Sequence, residues 1–236
     1  MSRTAALLAL HAAVLLFGFA GLFGKWLALS PFVIVLGRTT IAAAMLGLVR
    51  VARPDTRAPF DVRMLAGGAV LALHWVAFFA AIQVSSVAIG LLGFASFPLF
   101  VLALERAFLG RRWSGAEAMT ALLVAAGLAL LPTGFSLADR SLQGLLWGVL
   151  SGFTFALLAV LNRRYAPERP AVDLAFWQNL CAALCLLPVV WAAGGGVSAI
   201  GARELVLLLV LGLVCTALAH TLFIGSLRVV SAHTAS

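Results

Sequence analysis

His74, Trp75 and Phe78 bring an imidazole and two aromatic rings within little more than one helical turn, and His74 and Phe78, four residues apart, share a helix face. An imidazole donates or accepts a hydrogen bond near neutral pH, and the rings offer a stacking surface. That face reads as the wall of a central cavity for a small molecule, or as a packed histidine bonded to a neighbouring backbone. Arg38 cannot lose its charge; it suits a substrate carboxylate, or a snorkelling position at an interface. The amides of Gln178 and Asn179 either line the same cavity or bond between helices. His220 is a second titratable group, with packing as its plainer reading.

The chemistry that is missing narrows the field. The sequence holds no H-E-x-x-H and no G-x-S-x-G, the spacings that metallopeptidases and serine hydrolases need. Cys181, Cys185 and Cys215 form no metal-ligand pattern. We therefore expect no enzymatic activity, no metal and no cofactor.

The elements that must position these residues are eight apolar stretches, near residues 5–27, 31–49, 64–83, 86–109, 114–131, 143–161, 173–193 and 204–227. Each approaches the roughly 20 residues that cross a bilayer's hydrocarbon core. With 64% hydrophobic and 10% charged residues, the chain lies far from the roughly 25% charge of a soluble domain. Backbone groups in lipid must satisfy one another, and the stretches are too long and too little alternating for barrel strands, so the fold class is all-α, a polytopic membrane helix bundle. The first stretch exceeds a signal-peptide core and is followed almost at once by a second span, so it stays as a helix.

The net charge of +8 does not point to nucleic acid, because the cations lie scattered between spans. With the N-terminus in the cytoplasm, twelve arginines fall in inner segments, among them Arg50, Arg163, Arg164 and Arg169. Lys25, Arg140 and Arg203 fall outside, and Arg38 lies within a span. This bias predicts a multi-pass protein with both termini cytoplasmic. All eight carboxylates fall in connections or at span ends, which leaves no buried acid to serve a lipophilic cation.

Spans one to three and six to eight repeat a pattern. Gly18-Phe19 falls on Gly152-Phe153, Arg38 with Ala42-Ala43 on Gln178 with Ala182-Ala183, and Phe78, Val84 and Ser86 on Phe223, Val229 and Ser231. Five spans in the first unit make the second enter from the opposite side, an inverted repeat of the kind found in transporters. The units are expected at residues 1–132 and 141–236. In this register the last residue corresponds to Leu91, so the chain reads either as lacking two spans after the start of a ninth helix at Ser231–Ser236, or as an eight-span protein with a short tail.

Leu73-His74-Trp75-Val76-Ala77-Phe78-Phe79-Ala80-Ala81-Ile82-Gln83-Val84-Ser85-Ser86-Val87-Ala88, continued by Phe97-Pro98-Leu99-Phe100 and Phe108-Leu109-Gly110-Arg111-Arg112, resembles the EamA-type branch of the drug/metabolite transporter superfamily. Arg38 and Trp177-Gln178-Asn179 fall where similar residues are common in it. The resemblance implies ten helices in two inverted five-helix units and outward movement of a small metabolite. One departure is that Gly110 is followed by Arg111, where the family often has Glu, which removes an inner-face ion pair.

Together these readings predict a permease that moves an amino-acid-like, neutral, zwitterionic or anionic metabolite by alternating access. The expected partners are a small-molecule substrate and the lipid bilayer. Fifteen arginines against one lysine, with abundant Ala and Gly, suggest a bacterial inner membrane. The alternative is a non-transporting scaffold or interaction protein, or an inactive transporter fragment.

Overall fold

The computed structural model describes residues 1–110, 114–129, 139–165, 168–195, 200–232 and 235. All the regular structure among them is helical. The helices are α1 (Arg3–Trp26), α2 (Pro31–Ala52), α3 (Arg63–Val84), α4 (Val87–Phe94), α5 (Phe97–Leu109), α6 (Gly115–Ala129), α7 (Arg140–Tyr165), α8 (Ala171–Ala192), α9 (Ala202–Gly212) and α10 (Ala219–Ser226). A π-helical segment, Leu213–Leu218, joins α9 to α10.

Among the described residues, seven units are long and apolar enough to cross a membrane: α1, α2, α3, α4 with α5, α7, α8, and α9 through α10. Of the expected fifth span, near residues 114–131, the described residues include α6, Gly115–Ala129. Leu8, Leu15, Leu48, Leu73, Leu122, Leu187 and Val206 lie exposed on the outside of the bundle. In water such a belt would drive association; in a bilayer it faces its own solvent.

Local chemistry sets the helix ends. Ser30 Oγ accepts from the Val33 N–H, and Pro31 opens α2, where its fixed φ and missing N–H cost nothing. Ser86 caps α4 through the Ile89 N–H at 3.2 Å. Gly110 closes α5 with φ +64°, a left-handed C′ position that suits glycine. The fourth span is interrupted just before Pro98. Phe94, four residues upstream, ends α4, and Pro98 sits in the first turn of α5. A proline ring clashes with the carbonyl four residues back and offers no N–H to it. Ser96 Oγ donates to the Gly93 carbonyl at 2.7 Å and covers part of the gap.

The core sits where α3 packs along α7 and α8, with α2 along α8, α1 along α10, and α4 and α5 against α7. Small residues permit the closest crossings. A Cβ on Gly68 of α3 would lie 2.3 Å from the Cys181 Cβ of α8, and one on Gly148 of α7 would lie 2.8 Å from the Gly90 carbonyl oxygen of α4. Gly18, Gly21 and Gly24, evenly spaced on α1, divide by role. Gly24 is pressed against Ile82 and Phe79, Gly21 makes ordinary contacts, and a Cβ on Gly18 would meet nothing within 4 Å.

Trp26 and Trp191 are exposed near span ends, as interfacial anchors are. Arg111, Arg112 and parts of the expected ninth-helix segment at Ser231–Ser236 lie outside the described residues.

Candidate functional site

A cavity of about 220 Å³ opens at mid-depth. Phe17 and Gly18 of α1, His74, Trp75 and Phe78 of α3, Phe94 of α4, Phe97 of α5, Phe155 of α7 and Phe223 of α10 line it, with Val14, Leu91 and Ala235. Both halves of the chain therefore contribute walls.

His74 is 1% exposed. Its Nδ1 lies 3.0 Å from both the carbonyl oxygen and the Oγ of Ser151 on α7. That contact orients the ring and leaves Nε2 as the nitrogen for a ligand. The Phe155 ring stacks on the imidazole at 4.8 Å, and those of Trp75 and Phe94 stand at 4.6 and 5.8 Å. Phe17 meets Trp75, Phe155 and Phe223 edge-on at 6.0, 5.8 and 5.8 Å. Edge-to-face and offset pairs of this kind stiffen an aromatic box. The arrangement can hold a small body that stacks on rings and presents one hydrogen-bonding group to His74.

The structure brings His74, Trp75 and Phe78 together, as their spacing implied, and keeps Arg38, Gln178, Asn179 and His220 off the lining. Arg38 is fully buried behind Trp75, its guanidinium carbon 3.5 Å from the indole centroid. Nε donates to Thr216 Oγ1 at 2.9 Å and Nη2 to the Cys215 carbonyl at 3.1 Å. Both acceptors belong to the π-helical segment, whose wide turns free backbone carbonyls. Thr216 Oγ1 itself donates to the Leu211 carbonyl, five residues back, at 2.7 Å. Arg38 thus ties α2 to the bulge and braces the cavity's tryptophan from behind. It does not snorkel.

Gln178 Nε2 donates to Asn162 Oδ1 of α7 at 2.6 Å. Asn179 Nδ2 donates to the Ala175 carbonyl at 2.8 Å and stands 3.3 Å from His220 Nδ1. These four residues bond between helices and are not among those that line the cavity.

Sequence reasoning missed Phe17, Phe94, Phe97 and Phe155. Phe223 was already paired with Phe78 in the repeat register, and that pairing was a usable signal. Asp173, read as a span-end residue, is completely buried and gripped by two arginines: Arg50 Nη2 at 2.7 Å and Arg169 Nη1 at 2.8 Å.

Residues 142–236 match the EamA-like transporter family. No curated protein matches the chain. Twenty-one chains of solved structures do; one crystal structure is 21% identical with a TM-score of 0.77 over 99% of this chain and 83% of that chain, a likeness of fold. The chain is thus similar over residues 142–236 to the EamA-like transporter family, and its seven membrane-length apolar helices among the described residues make it a multi-pass membrane protein.

Proposed function

We propose that the chain is a permease of a bacterial inner membrane, with both termini cytoplasmic, that moves a small amino-acid-like metabolite outward by alternating access. The observation that carries this reading is the mid-depth aromatic cavity with one imidazole on its wall. A mostly apolar pocket with few convergent polar groups is what a small-molecule site needs. The substrate stacks its body on Phe155, Phe94 and Phe223 and gives a polar group to His74, and is neutral, zwitterionic or anionic overall.

Packing supports an inverted repeat as the basis of the motion. If spans one, two and three correspond to six, seven and eight, then α2 against α8 lies on the pseudo-two-fold axis. The α3–α7 contact becomes the equivalent of α10 against α1, and both pairings occur. Rocking of one unit against the other then opens the cavity to each side in turn. The direction follows from the family resemblance, and no chemical conversion of the substrate is proposed.

The test is uptake of radiolabelled amino acids and related metabolites into proteoliposomes. Saturable uptake that His74→Ala abolishes supports the reading. Uptake of every compound at the level of empty liposomes, or uptake indifferent to His74→Ala, overturns it.

A further inference from the structure

At the arginine-rich end of the bundle, α2 and the connection that follows it are locked to α8. Asp173 Oδ1 accepts from Arg50 Nε at 2.9 Å and from the Ala58 N–H at 3.2 Å, while Oδ2 takes Arg169 Nη1 at 2.8 Å. Arg169 Nη2 also donates to the Pro59 carbonyl. Phe60 packs on Trp177 at 4.7 Å, and the Arg50 guanidinium lies 4.4 Å over Phe176. The contacts of Arg50, Ala58, Pro59 and Phe60 join the first half of the chain to the second, and Asp173 is common to both ion pairs, of which Arg169–Asp173 lies within the second half and orients Arg169 toward Pro59.

Deeper in the bundle, roughly 5 to 12 Å from that end at 1.5 Å per residue, five buried polar atoms have no hydrogen-bond partner. They are Asn162 Nδ2, Trp177 Nε1, Gln178 Oε1, Asn179 Oδ1 and His220 Nε2. An unsatisfied buried polar group costs about 1–3 kcal/mol, and five together on α7, α8 and α10 are far from the usual near-complete pairing. Gln178 and Asn179 are adjacent on α8 and face opposite neighbours, Asn162 on α7 and His220 on α10. Drawing this end of α8 away from α7 and α10 uncovers both pairs. The tight Gly68–Cys181 crossing, further along α8, is positioned as its pivot.

We infer that these side chains line a second, polar station of the transport route, shut in this structure, and that Asp173 is the latch that shuts it. Two carbonyl oxygens, two N–H donors and an imidazole suit a group that carries both donors and acceptors, such as an ammonium beside a carboxylate. The aromatic cavity would take the substrate's body, and the polar station its charged end on the way through. Opening loses the Arg50–Asp173 ion pair and the bonds to Ala58 and Pro59 at the rim and gains solvation of the five atoms within, so the two states are set against each other. This inference rests on the alternating-access reading.

The test uses the full chain in vesicles with Cys181→Ala, Cys185→Ala, Cys215→Ala and Gln178→Cys, and measures the labelling rate with a membrane-impermeant maleimide added to the arginine-rich side. Adding Asp173→Asn raises the rate at least about tenfold, the equivalent of 1.4 kcal/mol of population shift. Arg169→Gln, which removes one arm of the latch, raises it less, and decides the matter if the Asp173 variant does not fold. Equal rates in folded variants overturn the latch, whatever the protein transports. Raised labelling in a protein that carries none of the tested metabolites upholds the latch and overturns the proposed function instead.

Discussion

Around the cavity, seven aromatic rings interlock about one imidazole whose Nδ1 is held by Ser151; at the arginine-rich end, two guanidiniums share one carboxylate below five polar atoms that have no partner. In the first region the rings pack on one another and the imidazole is held through Nδ1. The second combines strong bonds at its rim with unmet ones inside. A site that must present a fixed shape gains from stiffness, whereas an element that must exist in two arrangements cannot have every bond optimised in one of them. Under the proposed function, the contrast gives recognition to the middle of the bundle and movement to its end.

The contrast breaks most completely if the close crossings that support the cavity are filled. Gly148→Leu drives a side chain into the Gly90 carbonyl and the Gly93 backbone, which neither can yield. A loss of more than about 3 kcal/mol, seen as loss of the monodisperse species in detergent, is expected. Substitution at Gly18 sharpens the comparison, because its side chain would enter the cavity with nothing to displace. Gly18→Phe lowers uptake at least tenfold, by the transition-state arithmetic of about 1.4 kcal/mol per decade, while the melting temperature stays near that of the unmodified chain. Gly24→Phe, on the same helix but against Ile82 and Phe79, does the reverse and lowers the melting temperature.

Arg38 separates stability from function more subtly. Its guanidinium is buried with Nη1 unpartnered, and apolar replacements of buried charged groups are often neutral or stabilising. Arg38→Met therefore keeps the melting temperature within a few degrees, by the usual conversion of about 1 kcal/mol to 2–4 °C for chains of this size. It releases Trp75 and the π-helical segment, and uptake falls with a rise in KM. The smallest effect belongs to the cap of α4: Ser86→Ala removes one N–H acceptor, costs about 1 kcal/mol and leaves transport intact, as thermal unfolding alongside uptake would record.

The spans were legible because lipid imposes a length and a composition that few other environments do. His74 was legible for the same reason, since a polar side chain in an apolar run stands out. Phe17, Phe94, Phe97 and Phe155 were not, because a phenylalanine that faces a cavity and one that faces lipid leave the same mark in a sequence. Phe19 and Phe17 differ only in direction, the former 51% exposed and the latter on the cavity. Arg38 announced itself as important, but its acceptors are a backbone carbonyl and a hydroxyl in a π-helical segment, and that geometry has no residue signature. Asp173 was placed correctly at a span end; its burial depends on a loop folding back from another helix, through the Ala58 N–H and the Pro59 carbonyl.

The π-helical segment also sets phase. Relative to an unbroken α-helix, one extra residue at Leu213–Leu218 turns everything downstream by about 100°, and His220 and Phe223 lie downstream. Removing a single residue from that stretch would leave the composition, hydropathy and length of the last span almost unchanged, yet rotate Phe223 out of the aromatic box and His220 away from Asn179. A one-codon insertion or deletion there is thus a larger change to this protein than most substitutions, and it is where related chains would be expected to diverge in what they carry while keeping every other helix in register.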